Sequence, residues 1–353
     1  MRLDPDVKLD YSDVLLRPKR SMMTSKMDVV LEREFKFVHS PHIWNGIPLM
    51  ASPMDGVGTF TMAKELQKYK MITVVKKDYK TGDWYNAMEE GVDPDYLAVT
   101  IGTGRFFNEK AKDYKKMKTI LNNFPVKMIV IDVANFYINS STEFLKILRE
   151  DFPEHIIMAG NIATSDIAEY MIFAGADVVR VGIGPGSVCT TRIKAGVGYP
   201  QFSAVMECAD TVHGIKGHVI ADGGCTNPGD ISKALAAGGD FVMLGSMLSA
   251  HDECEESIED GMVTFYGMSS EAARGRHGGR KDGYQSNEGR VVSLPCRGPV
   301  ADTVEDILGG ITSSMVYIGA ERLKDMQKCA TFMRVNQTHS RWLQQYDVDR
   351  RYD

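Results

Sequence analysis

One stretch of about 30 residues occurs twice in this chain, and a repeat of that length is the size of one βαβ unit. HIIMAGNIATSDIAEYMIFAGADVVRVGIG begins at His155, and HVIADGGCTNPGDISKALAAGGDFVMLGSM begins at His218. Without a gap, His155 aligns with His218, Gly160 with Gly223, Asp177 with Asp240 and Gly182 with Gly245. Each copy reads as strand, glycine exit, helix, strand and glycine exit. The segment 165–174 carries apolar residues at helical spacing, with Thr164 or Ser165 as N-cap and Gly175 as stop. Its counterpart, 229–237, follows Pro228.

The same alternation extends over most of the chain. Strand candidates are 47–51, 71–76, 96–101, 128–133, 155–159, 178–183, 218–221 and 241–244. Most are apolar throughout, as parallel strands covered on both faces are. Eight such strands containing a duplicated unit predict an α/β chain folded as a (β/α)8 TIM barrel, in preference to an open doubly wound sheet. The glycine exits of strands 5 to 8 then fall on the C-terminal rim, where barrel active sites lie and where phosphate often binds at strands 7 and 8. The whole of 1–353 reads as one catalytic domain. Residues 1–45 form a pre-barrel hairpin and bottom cap, and 303–324 a closing helix. Residues 342–353 form a polar tail. The segment 246–302 is far longer than an ordinary strand-to-helix loop and reads as a flap; a disordered surface insertion is the alternative.

Composition narrows the partners. With 43% hydrophobic and 25% charged residues, the chain is not of a disordered class. Its net charge of −6 and the absence of a basic stripe argue against nucleic acid. No apolar run reaches the length of a membrane span, and the N-terminus lacks a secretory apolar region. The six cysteines form no CxxC pair and no His pair has zinc spacing, so a reduced, cytoplasmic protein is expected.

Three motifs carry chemistry. GIGPGSVCTTR, 182–192, follows strand 6 with three alternating glycines and then Cys189. A thiol presented on a catalytic rim can act as a nucleophile, with Thr191 a proton carrier and Arg192 a fixed charge nearby. A lone cysteine is more often a small buried hydrophobe; the Gly-rich loop before Cys-Thr-Thr-Arg reverses that preference. ADGGCTNPGD, 221–230, places Asp222 to accept from a ribose diol and Gly223 and Gly224 to let phosphate approach backbone N–H groups. LGSM, with Gly245 and Ser246, and FYGMSS, with Gly267, Met268 and Ser269, add further backbone donors. Their order around one barrel suits a single mononucleotide with its base toward Cys189. Asp132 in IDVAN and Asn161 in AGNI reach the same rim and suit a second ligand, or, for Asp132, a helix cap. Lys77 after strand 2 reads as a surface lysine or the partner of an anionic cofactor.

At GPGSVCTTR, DGGCT, LGSM and FYGMSS the chain resembles the IMP dehydrogenase/GMP reductase family. The likeness runs from KLDYSDVLLRPKRS at 8–21, through GVGYPQFSAVMECAD at 196–210, to DILGG at 306–310. KKDYKTGDW, 76–84, leaves no room for the regulatory domain that dehydrogenases of the family insert after strand 2, and the flap has no adjacent Arg-Tyr pair, since Arg280 and Tyr284 are separated. Both features favour the reductase branch. The resemblance implies NADPH-dependent reductive deamination of GMP to IMP with release of ammonia, in a tetramer. Cys189 is the implied nucleophile, forming a covalent thioimidate at C2, and Thr191 and Glu288 handle protons. Asp222, Gly223, Gly224, Gly245, Ser246, Gly267, Met268, Ser269 and Gly289 are the implied GMP contacts. Lys77, Asp132, Val133, Ala134, Tyr284 and Gln285 are the implied NADPH contacts, joined by Ser25 and Lys26 from a neighbouring subunit. A potassium ion is implied at Gly184, Gly186, Cys189 and Arg192. Three places depart from the family pattern: Ser52-Pro53 after strand 1, Phe136 at a rim position where glycine is usual, and Gln285 where arginine is usual. The competing readings are an NAD-dependent IMP dehydrogenase without the regulatory domain, a nucleotide sensor without catalysis and a flavin-dependent barrel.

Overall fold

In the computed structural model, residues 3–23, 25–103, 112–256, 258–277 and 286–336 are described. Eight parallel strands close into a barrel: β1 (Leu49–Ala51), β2 (Ile72–Val75), β3 (Leu97–Ile101), β4 (Met128–Asp132), β5 (Ile156–Ile162), β6 (Val178–Val181), β7 (His218–Asp222) and β8 (Phe241–Leu244). Closure is made by β8 against β1, with Val242 beside Leu49 and Leu244 beside Ala51. The outer helices are α1 (Phe60–Leu66), α2 (Thr81–Glu89), α3 (Lys112–Asn123), α4 (Asn139–Asp151), α5 (Ser165–Phe173), α6 (Gln201–Gly214), α7 (Pro228–Ala236) and α8 (Val300–Ile318). This is the (β/α)8 barrel that the repeat and the alternation predict.

Successive strand residues face opposite sides, and here both sides are apolar. Met50, Ile72, Val74, Met128, Val130, Met158, Val178, Ile220 and Met243 fill the lumen. Their neighbours Leu49, Ala51, Leu97, Ile129, Ile131, Val179, Val219 and Leu244 pack under the helices. The antiparallel pair Arg33–Lys36 and Ile43–Gly46 plugs the N-terminal end of the lumen. Phe35 from this hairpin stacks on Phe241 with ring centroids 4.3 Å apart, and Trp44 lies 5.6 Å from the same ring.

Several boundaries differ from the sequence expectation. Strand 5 does not stop at 159 but runs to Ile162, because a bulge between Gly160 and Ile162 keeps it paired with β6. The closing helix begins at Val300 and stops at Ile318, where Gly319 takes a left-handed conformation (φ 75°), rather than spanning 303–324. Thr164 occupies the N-cap of α5 without capping; its hydroxyl donates to Asp166 instead. The flap is built, not formless: strands Ile258–Glu259, Met262–Tyr266 and Val291–Pro295 form an antiparallel sheet, with a short helix at Glu271–Arg276. The link from β2 to α2 is short, with no inserted domain. Among the described residues no helix is long and apolar enough to cross a membrane. The tail 342–353 lies outside the described residues.

Candidate active site

The lumen changes character at the C-terminal ends of its strands. Two residues beyond the last apolar lumen position stand Ser52, Lys76, Thr100, Asp132, Arg180 and Asp222, so the top layer of the barrel is polar and charged. Arg180 is buried at its centre. Its Nε donates to Asp222 Oδ2 at 2.9 Å and its Nη1 donates to Asp132 Oδ1. Burial opposes the Arg180 charge, but the two carboxylates outweigh it and hold the guanidinium more firmly protonated than usual. The β5 bulge turns Asn161 into the same layer, where its Nδ2 donates to Asp222 Oδ2 at 2.7 Å and to the Gly182 carbonyl at 2.8 Å. Sequence reading missed Arg180. Its signal was a single charge inside the apolar run VVRVG, two residues beyond the lumen-facing Val178.

After β6 the chain must pass close to β7. A Cβ on Gly182 would lie 2.1 Å from the Asp222 carbonyl, so glycine is required there. The loop then delivers half-buried Cys189, whose Sγ donates to Thr191 Oγ1 at 3.2 Å; Thr191 Oγ1 in turn donates to Glu288 Oε2 at 2.7 Å. Glu288 arrives from the flap, 97 residues further along the chain. Its position is set by backbone pairing: Thr190 N–H donates to the Glu288 carbonyl at 2.7 Å and Arg290 N–H to the Val188 carbonyl at 2.9 Å. Cys189 and Gly289 therefore sit opposite each other in an antiparallel bridge. All six cysteines are free, and burial pushes the Cys208 and Cys254 thiols up to about 12, which leaves them inert at neutral pH.

A cavity of about 1010 Å³ opens over this layer. Cys189, Thr191 and Glu288 line it together with Asp222, Gly223, Gly224, Gly245, Ser246, Gly267, Met268 and Ser269. Gly223 and Gly224 both have φ of 85°, the left-handed region in which a side chain would be strained. Lys77, Asp132, Val133 and Ala134 line the far side of the same cavity. Gly289 is not among the lining residues; its place is behind Cys189. Ser25 and Lys26 are away from the cavity in this single chain: Ser25 caps a short helix, and Lys26 Nζ donates to Ser313 on α8 at 2.8 Å. Tyr284, Gln285 and Arg280 lie outside the described residues. Phe136 is not at the rim: it is wholly buried in the core, its N–H bonded to the Asn161 carbonyl. Ser52 lies on the cavity wall as the lumen parity of β1 requires.

The Gly184–Cys189 loop has features that fit a large hard cation. Among the described residues no N–H donates to the carbonyls of Gly184 or Cys189, and the Gly186 carbonyl accepts one bond, from Cys189 N–H at 3.0 Å, leaving a second lone pair. The Arg192 guanidinium has a different task. It pairs with Asp10 (2.8 and 3.2 Å) and donates to the Tyr199 carbonyl at 2.6 Å, tying the N-terminal segment to the loop.

The flap is held at its root by Tyr266 of the FYGMSS motif and by residues the motifs did not single out. Asp55, buried after β1, accepts from Tyr266 Oη at 2.8 Å and pairs with His277 Nε2 at 2.9 Å. Lys76 Nζ pairs with Glu255 at 2.6 Å and donates to the Asp55 carbonyl at 3.2 Å. Asp55 and Tyr266 lie 211 positions apart, so no local pattern announces the contact.

The model of the IMP dehydrogenase / GMP reductase domain matches residues 8–341. The chain belongs to this family. Both activities in the family's description are oxidoreductase chemistry, and the chain is an enzyme of that kind. GMP reductase 1 of Mus musculus is 49% identical over 345 residues, covering 96% of this chain and 98% of that one. GMP reductase of Klebsiella pneumoniae is 49% identical over 347 residues, covering 97% and 99%. GMP reductase of Tolumonas auensis is 47% identical over 344 residues, covering 96% and 97%. The family's relatives of the reductase kind thus match nearly the whole length of this chain.

Proposed function

We propose that this chain reduces GMP to IMP with NADPH and releases ammonia, a step of purine nucleotide interconversion. The observation that carries the reading is the line of donors from Cys189 Sγ through Thr191 Oγ1 to Glu288 Oε2, inside a cavity that also holds a glycine-built phosphate cradle. The relatives named GMP reductase supply the substrate.

The GMP phosphate lies against Gly223, Gly224, Gly245 and Ser246, and its ribose on Asp222. Gly267, Met268 and Ser269 frame the base, whose C2 faces Cys189, and Gly289 backs the Cys189 loop on the GMP side. The Cys189 proton passes to Thr191 Oγ1 and on to Glu288, and the thiolate forms a bond to C2. Glu288 and Thr191 return a proton to the exocyclic amine, and the C2–N bond breaks as ammonia leaves, giving a thioimidate. NADPH, when bound, supplies a hydride to C2, which completes the reduction to IMP and frees the Cys189 thiolate. Lys77, Asp132, Val133 and Ala134 hold that cofactor, together with Tyr284 and Gln285, and with Ser25 and Lys26 contributed across a homotetramer. The carbonyls of Gly184, Gly186 and Cys189 would hold a potassium ion, whose charge would fix the loop that carries the thiol. The flap, latched through Asp55, excludes water from the thioimidate. A cytoplasmic location completes the reading.

The test is one set of assays: GMP or IMP, each with NADPH or NAD, with and without potassium. Loss of NADPH absorbance with GMP, and formation of IMP, is the expected result. Formation of XMP from IMP and NAD, with no use of NADPH, would show a dehydrogenase instead.

A further inference from the structure

Arg180 spans the two halves of the cavity. On one side its Nε donates to Asp222 Oδ2 at 2.9 Å, an oxygen that also accepts from Asn161 Nδ2 at 2.7 Å. On the other its Nη1 donates to Asp132 Oδ1. Among the described residues no protein group donates to the second oxygen of either carboxylate, and both Asp132 and Asp222 line the cavity. Gln201 Nε2 donates to the carbonyls of Val181 (2.8 Å) and Asp222 (3.1 Å), which ties the ends of β6 and β7 to α6. A guanidinium is planar, with Nε and Nη1 fixed relative to each other. Rotating one carboxylate therefore turns the guanidinium, and with it the other carboxylate.

We propose that Arg180 is a positioning residue that couples the nucleotide and dinucleotide subsites. A ribose hydroxyl donating to the free oxygen of Asp222 fixes the plane of that carboxylate. Through Arg180 it also fixes Asp132 in the orientation that receives the dinucleotide. The shared network is ordered once for both ligands, so each ligand tightens the other, and by the same factor. This inference rests on the reading above, in which Asp222 serves GMP and Asp132 the nicotinamide cofactor.

The experiment is calorimetric titration of the full-length protein with GMP, in the absence and presence of saturating NADP+, which carries no hydride to donate and so permits no turnover. Wild type is expected to bind GMP about fivefold or more tightly with NADP+ present, and NADP+ more tightly by the same factor with GMP present. Arg180→Lys keeps the charge but pairs with one carboxylate at a time, and the factor is expected to fall close to one. Asp132→Ala removes the acceptor at the far end of the network; measured at NADP+ concentrations that direct titration shows to saturate this variant, the factor is expected to be lost. A purely structural role for Arg180 predicts weaker binding of both ligands with the factor unchanged, and that result overturns the proposal, as does a wild-type factor of one. Should Arg180→Lys not fold, Asp132→Ala with NADP+ shown to be bound decides alone: a retained factor overturns, a lost one supports. Absence of GMP binding by wild type would overturn the functional reading and the coupling with it. GMP binding with an unaltered factor in both variants overturns the coupling alone.

Discussion

Two pairs of buried or half-buried carboxylates stand at opposite ends of the barrel, and the two ends bond them differently. At the bottom, Asp177 and Asp240 hold equivalent places in the two copies of the repeat. Asp177 accepts from the N–H groups of His39, Ser40 and Ile157 and from Arg149 Nη2 at 2.6 Å. Asp240 pairs with Arg33 Nη2 and His213 Nε2, each at 2.7 Å, and accepts from Val219 N–H at 3.0 Å. Both oxygens of each are taken. At the rim, Asp132 and Asp222 share Arg180 and each keeps an oxygen toward the cavity. A saturated carboxylate fastens chain segments to one another; a half-saturated one is held in place while still able to accept from a ligand.

That contrast breaks down unless mutations at the two ends fail in different ways. The largest effect belongs to the rim: Cys189→Ala should lower kcat by about a thousandfold or more while leaving the melting temperature unchanged. Normal turnover in this variant would remove the nucleophile from the account. Glu288→Gln should lower kcat by about a hundredfold or more, with GMP affinity by calorimetry close to wild type. The bottom responds in stability instead. Asp240→Ala leaves the half-buried Arg33 and His213 without their buried partner and should cost about 3–5 kcal/mol in denaturant unfolding, with kcat per folded molecule unchanged. Asp222→Asn should act mainly on binding, raising KM for GMP about tenfold through loss of a charge-assisted bond, with a smaller loss of stability than Asp240→Ala because Asp132 still pairs with Arg180.

The smallest effect sharpens the comparison by pH. Burial opposes charging of His218, but its bond to Asp240 dominates and raises its pKa above the ordinary 6.5. Its stabilising contribution is therefore complete below 6.5 and is lost as pH rises through the higher folded value. For Asp240, burial acts upward, but His213, His218 and Arg33 hold its carboxyl well below the ordinary 3.8, so its contribution is lost only as pH falls below that value. The stability difference between wild type and His218→Asn, followed by urea unfolding from pH 6 to 9, should shrink steadily. A constant difference would show that His218 acts through packing alone.

The repeat made the barrel legible, because Gly160 and Gly182 in one copy and Gly223 and Gly245 in the other stand 22 residues apart at or near strand ends. The nucleophile loop was legible as well, since Cys189 and Thr191 sit two positions apart in one glycine-rich motif. The bulge in β5 was not, because a register change is set by pairing with β6, and the segment AGNI gives no sign of it. Arg180 hid for a related reason: its two partners lie 48 and 42 positions away, on different strands. Phe136 does not stand at the rim position its place in the loop after β4 suggests, because the chain there turns inward and the ring joins the core. The flap latch of Asp55, Tyr266 and His277 exists only once the flap folds back over β1.

The central claim is that the rim performs covalent chemistry that removes the amine of GMP. The direct measurement is ammonia released per NADPH oxidised with GMP as substrate. The account predicts one ammonia for each NADPH in wild type and none in Cys189→Ala. NADPH oxidation without ammonia, or ammonia release that survives in Cys189→Ala, would contradict it.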